Sequence, residues 1–195
     1  DYVAPSSVQE AVAVLAKHGA AARVLAGGTD IIIQAREGRR DVAVMVDVKG
    51  IAETTQLTHN SDGSLRIGAA TPCARIYNDA GIKQRFPALV DSASVIGSVQ
   101  VQSRASLGGN LCNSGPAGDS IPTLIALGAV CEITGPGGSR TVPVDQFCTG
   151  PGRNVLQNGE LLWRVPLSST YGRHVTTPVV VGNIAMVASH QRGMI

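Results

Sequence analysis

The chain has 195 residues, 44% of them hydrophobic and 15% charged, which is enough for a real core in one or two domains and excludes a disordered chain. A formal charge of +2, with no basic stripe interleaved with aromatics, excludes a nucleic-acid footprint. No apolar run approaches the roughly 20 residues of a membrane span, and the start is not of the signal type.

Cys73, Cys112, Cys131 and Cys148 are spaced too widely for a Cys-x-x-Cys metal or iron–sulfur motif. Nothing else suggests secretion, so free thiols in a reducing cytosol, and hence a cytoplasmic protein, are expected. The sequence starts at Asp1 rather than Met, so a trimmed N-terminus is expected.

In chain order, Ser7-x-x-Glu10 reads as a capping box, followed by Val8, Ala11, Val12 and Leu15 at helical spacing, with Gly19 as the stop. Val24 to Ala26 read as a short buried strand that Gly27 and Gly28 break. Thr29 or Asp30 then caps a helix over Ile31 to Glu37, ended by Gly38. Arg36, Arg39 and Arg40 read as a solvated helix terminus. Asp41 to Val48 is a near-continuous apolar run, the pattern of a strand covered on both faces. Strand, helix and strand together predict a right-handed βαβ unit with parallel strands.

Past Gly50 the pattern changes. Gln56 to His59 and Leu65 to Ala69 flank Asn60-Ser-Asp-Gly63, a hairpin signal. Thr71-Pro72 starts a helix through Asn78, with Pro at its first position, and Pro87 to Ser94 is another. Pro122 to Leu127 is helical and Ala129 to Thr134 a strand. Gly135-Pro-Gly-Gly138 turns into Arg140 to Val144, and Leu161 to Val165 is a further strand. This half predicts an antiparallel sheet with helices. The division is 1–53, 54–168 and an irregular 169–195.

Two stretches carry chemistry. Paired glycines at 27 and 28 let backbone N–H groups approach an anion without a Cβ in the way. The stretch Ser106-Leu-Gly-Gly-Asn-Leu-Cys-Asn-Ser-Gly-Pro-Ala-Gly-Asp119 reads as a side-chain-poor loop lying against something. Ser106, Gly108, Gly109 and Asn110 offer donors and small polar groups to a diphosphate or sugar, and Asp119 is either a plain N-cap or an acceptor for ligand hydroxyls. One such stretch in each half suggests an extended nucleotide between the halves. Gly-x-Gly-x-x-Gly and Gly-x-x-x-x-Gly-Lys-Ser/Thr are both absent. His18, His59, His174 and His190 are scattered and read as surface residues, so no catalytic side chain and no metal site are expected.

Ala26-Gly-Gly-Thr-Asp30, Ser106-Leu-Gly-Gly-Asn110 and Asp119, in this order and separation, resemble the FAD-binding medium subunit of the molybdenum hydroxylases, the xanthine dehydrogenase and carbon monoxide dehydrogenase type. The resemblance runs from Asp1 to about Pro166 and takes in Ile67-Gly-Ala-Ala-Thr71, Phe86-Pro-Ala-Leu89 and Glu160-Leu-Leu162. It implies an α+β fold of the vanillyl-alcohol-oxidase FAD-binding type, with a small parallel βαβ subdomain, a larger antiparallel one, and the family's C-terminal domain largely absent.

By this resemblance, Arg23, Val24, Leu25, Ala26, Gly27, Gly28, Thr29, Asp30 and Ile31 wrap the pyrophosphate and ribityl of FAD. Ser106, Leu107, Gly108, Gly109 and Asn110 line the other side, and Asp119 binds a flavin hydroxyl. Leu156 and Ile96 lie near the rings, and Tyr171 is the candidate facing the isoalloxazine. Molybdenum cofactor and [2Fe-2S] clusters are expected on a large and a small partner subunit, in a dimer of heterotrimers. Electrons are expected to reach FAD here and pass to NAD, a quinone or oxygen. A stand-alone flavin oxidoreductase, or a non-catalytic nucleotide-binding or assembly module, are the rival readings.

Overall fold

The computed structural model describes residues 1–168, together with the backbone of four short strands, Val179–Val181, Ile184–Met186, Ala188–Ser189 and Gly193–Met194. These four pair antiparallel two by two, in the segment the sequence reads as irregular. Val179–Val181 is β-branched throughout and fits a pleated strand, whereas Ala188–Ser189 and Gly193–Met194 carry no such local preference.

Strand β1 (Tyr2–Val3) leads into helix α1 (Val8–His18). Ser7 caps α1, its Oγ accepting from Glu10 N at 3.2 Å. The return bond is displaced by one residue, since the Glu10 carboxylate takes the N–H of Ser6 at 2.8 Å. Val8, Ala11, Val12 and Leu15 form the buried face, worth about 1.5–3 kcal/mol for each large side chain. Strand β2 (Ala22–Leu25), helix α2 (Ile31–Arg36) and strand β3 (Val44–Asp47) follow. The sheet runs β1-β3-β2, all parallel, with Tyr2 beside Met45 and Ala22 beside Val44. β1 is too short to show a period in the sequence.

The larger part starts with α3 (Ala52–Thr55) and the hairpin β4 (Leu57–His59) to β5 (Leu65–Gly68). Helices α4 (Cys73–Asn78), α5 (Ala80–Arg85), α6 (Pro87–Ser94), α7 (Val99–Gln102), α8 (Leu107–Asn113) and α9 (Ser120–Ala126) come next. Pro72 sits at the N-cap of α4 rather than its first helical position, one residue earlier than expected. The chain continues through β6 (Val130–Gly135), β7 (Gly138–Pro143), α10 (Val144–Phe147), β8 (Cys148–Gly150), β9 (Arg153–Asn154) and β10 (Leu161–Leu167). The five-stranded sheet is antiparallel in the order β4-β5-β10-β6-β7.

β10 lies between two hydrophobic clusters. Leu161 packs with Val8, Leu15, Val46 and Ile51, and Trp163 lies against the same group. Leu162, Val165 and Leu167 pack with Leu89, Leu107, Leu124 and Phe147. Strict alternation would put residues 161, 163, 165 and 167 on one face. The register shift between Leu162 and Arg164 breaks that alternation, so Val165 and Leu167 join Leu162 in the second cluster instead of following Leu161 and Trp163 into the first.

Among the described residues no helix is long and apolar enough to cross a membrane, and no group of His, Cys, Asp or Glu is arranged to hold a metal. All four cysteines are free. Burial pushes the Cys73, Cys112 and Cys131 thiols up to about 12.

Candidate functional site

A cavity of about 890 Å³ opens between the β2–α2 turn, α8 and the segment 149–162. That lies in the range of roughly 300–1,000 Å³ for ligand pockets. The two glycine stretches meet at its wall. A Cβ on Gly27 would stand 2.2 Å from the Arg104 carbonyl oxygen, so only glycine lets this turn lie on the segment leading into α8. Arg104 Nε also donates to the Gly27 carbonyl at 3.3 Å.

Gly28 has φ +80°, the left-handed region, and turns the chain into α2. Asp30 holds the N-cap position of α2 but its side chain makes no capping bond. The N–H groups of Gly28, Thr29 and Asp30 have no acceptor among the described residues. Consecutive free N–H groups beside a cavity suit an anion.

The second stretch corrects the sequence reading. Only its second half is a loop: Leu107–Asn113 is helix α8, capped by Ser106, whose Oγ accepts from Gly109 N at 3.1 Å, and residues 114–118 connect it to α9. The Gly108 N–H donates to the Ala69 carbonyl at 3.1 Å, so the amides of Gly108 and Gly109 are used within the protein. A Cβ on Gly108 would lie 2.5 Å from the Ala69 carbonyl oxygen, which makes this glycine a close-packing residue that keeps the cavity wall flat. The Asn110 side-chain oxygen accepts from Ser120 Oγ at 2.7 Å and fixes the start of α9.

Of the residues singled out in the sequence, Arg23, Val24, Ala26, Gly27, Gly28, Thr29, Asp30, Ile31, Ile96, Ser106, Gly108, Gly109, Asn110 and Leu156 line the cavity. Leu25 and Leu107 do not, because both side chains are buried in the core. Asp119 is exposed, makes no capping bond and stands outside the lining, while its neighbours Gly115 to Gly118 are part of it. Tyr171, His174 and His190 lie outside the described residues. His59 bonds Asp79 at 2.8 Å and Arg85 at 2.6 Å, away from the cavity.

Of the far wall, the sequence singles out Leu156 alone. The β8–β9 hairpin is tied to the end of α8 by Gly152 N donating to the Ser114 carbonyl and Asn154 Nδ2 to the Cys112 carbonyl, both at 2.8 Å. Arg140 then clamps the segment 155–160. Its Nε and Nη2 donate to the two carboxylate oxygens of Glu160 at 2.7 and 2.8 Å, and Nη2 also to the Val155 carbonyl at 2.9 Å. The clamp presents Leu156 to the cavity, and Arg140 holds the Glu160 carboxyl below its usual range. Its partners lie 20 residues apart on a hairpin and a loop, a spacing that carries no local signature.

The lining is electropositive. Arg23, Arg40 and Arg153 face Asp30 and Glu160, and Glu160 is already paired with Arg140. Arg40 is exposed, as expected of a solvated helix terminus, and it also lines the cavity. Arg23 Nη1 donates to the carbonyls of Ala20 and Ala22, whereas its Nε is buried without a partner. An orphaned guanidinium N–H, three free amides and a flat glycine wall fit a ligand with a diphosphate and extended planar parts.

Residues 1–168 match the family model described as the FAD binding domain in molybdopterin dehydrogenase. The chain belongs to this family. A xanthine dehydrogenase FAD-binding subunit of Escherichia coli is 37% identical over 161 residues, 83% of this chain and 55% of that protein. A carbon monoxide dehydrogenase medium chain of Hydrogenophaga pseudoflava is 31% identical over 162 residues, 83% of this chain and 56% of that one. The reconstituted CO dehydrogenase from Oligotropha carboxidovorans superposes with a TM-score of 0.87 at 26% identity, over 97% of this chain and 69% of that chain. The chain thus spans about half the length of the curated relatives it matches. As a molybdopterin dehydrogenase FAD-binding domain it has the expected α+β fold, with the parallel three-stranded and antiparallel five-stranded sheets described above.

Proposed function

We propose that this chain is the FAD-carrying part of a molybdenum hydroxylase, an electron-transfer subunit whose work is to bind and orient the flavin. The observation that carries the reading is the row of free N–H groups at Gly28, Thr29 and Asp30 on the wall of a cavity shared by both glycine stretches. Those amides with Arg23 hold the diphosphate. Gly108 and Gly109 give the flat wall, and Ile96 and Leu156 provide apolar contact beside the rings. Asp119 takes a ligand hydroxyl, which requires the flavin to reach past Gly118 to the exposed carboxylate.

Bound here, FAD would supply the redox chemistry between iron–sulfur clusters of a small partner subunit and an acceptor such as NAD, a quinone or oxygen. A large partner holds the molybdenum cofactor and sets the organic substrate, in a cytoplasmic dimer of heterotrimers. The chain itself needs no acid–base pair, since it has only to position a cofactor and exclude water.

An absorption spectrum of protein purified with its natural partners tests this reading. Flavin and iron–sulfur bands together are expected, with the yellow colour released by acid because the flavin is not covalently held. Colour that stays on the precipitated polypeptide overturns non-covalent binding. Turnover of a reductant by this chain alone, without partners, favours the stand-alone oxidoreductase.

A further inference from the structure

We propose that Arg40 is an anion-binding residue of the cavity and takes a phosphate oxygen of the bound dinucleotide; the inference rests on the FAD reading and deepens it. Three observations converge. Arg39 pairs with Glu37, while the Arg40 side chain makes no hydrogen bond or ion pair among the described residues and yet lines the cavity. Its backbone is anchored, because Arg40 N donates to the Gln34 carbonyl at 3.3 Å and Gln34 in turn bonds Asn113 at 3.2 Å across the cavity wall. The guanidinium therefore hangs from a fixed point.

The same cavity also holds the buried, partnerless Nε of Arg23. Its three arginines exceed its one unpaired carboxylate, that of Asp30, by two charges. A diphosphate carries the two negative charges that balance this excess; riboflavin and adenosine carry none. Guanidinium groups are well suited to phosphate because their planar donors meet two oxygens at once.

The test is calorimetric titration of the full chain, freed of flavin, with FAD, riboflavin, ADP and adenosine, for wild type, Arg40→Ala and Arg40→Lys. Arg40→Ala is expected to weaken FAD and ADP about tenfold and to leave riboflavin and adenosine unchanged, with Arg40→Lys recovering part of the loss. Equal losses for ADP and adenosine make Arg40 a shape residue and overturn the proposal, as does an unchanged FAD affinity. Wild type that binds ADP but not FAD, with the Arg40→Ala loss intact, removes the flavin reading and leaves the anion site standing. Wild type that binds neither removes both.

Discussion

Replacing Gly27 by alanine tests whether the two glycine stretches are held in contact. The new Cβ would stand 2.2 Å from the Arg104 carbonyl oxygen, 2.7 Å from its carbon and 2.9 Å from Ala105 Cα. Unstrained contacts of this kind lie at about 3.5 Å, so the turn or the backbone before α8 must give by about 1 Å. Both are backbone, and no side-chain rotation relieves the clash. Overpacking of this kind costs about 1–3 kcal/mol, and for a chain of this size each kcal/mol lowers Tm by about 2–4 °C. The displaced turn also carries the free amides of residues 28–30, so FAD should weaken at least about tenfold. Gly50→Ala is the control, because a Cβ there meets nothing within 4 Å. Thermal melts and FAD titrations of the two variants side by side give the answer. A Gly27→Ala protein that matches Gly50→Ala in both Tm and FAD affinity refutes the close-packing argument.

Gly28→Val places a β-branched residue at φ +80°, with its Cβ 2.7 Å from Ile32 Cδ1; flavin content should fall to near zero while the circular dichroism of the fold persists, and full occupancy would remove this turn from the site. Asp119→Ala should leave Tm unchanged, since the carboxylate is exposed and caps nothing, and should raise the FAD dissociation constant about tenfold or more; an unaltered constant would take Asp119 out of the site. The Glu160 carboxyl, bonded to Arg140, has a folded pKa below its ordinary 4.5, so its contribution is full above pH 4.5 and is lost as pH falls through the depressed folded value. Glu160→Gln should therefore melt below wild type at pH 7 by the equivalent of about 1.5–3 kcal/mol and close much of that gap on acidification, and a gap constant with pH would show that the clamp is not ionic.

The sequence patterns that proved readable were local ones. The heptad-like face of α1, the Asn60–Gly63 hairpin turn and Pro87 at the head of α6 each depend on neighbours a few residues away. Leu107 to Asn113 reads as a loop because two adjacent glycines weaken a helix; tertiary packing of Leu107 and Leu111 in the core outweighs that propensity. The break after Val24 to Ala26 is legible because paired glycines mark a backbone turn, and the free amides of residues 28–30 belong to that same backbone. The position of Arg40 in the cavity lining and the Arg140–Glu160 clamp are not legible in this way, since both depend on how distant parts of the chain come together. Asp119 reads as either a cap or an acceptor for ligand hydroxyls, and of the two its side chain makes no capping bond.

The central claim is that this chain holds one FAD, without a covalent bond, in the cavity between its glycine stretches. Trp163 is the sole tryptophan and follows Leu161 and Leu162, which line that cavity, and it packs against the same hydrophobic cluster as the lining residues Val24 and Ala26, so its fluorescence is the reporter. Titrating the flavin-free full chain with FAD should quench Trp163 in a saturable curve that breaks at one FAD per chain, and acid should release all of the flavin. A quench that never saturates, or that is identical in Gly28→Val, would contradict the account.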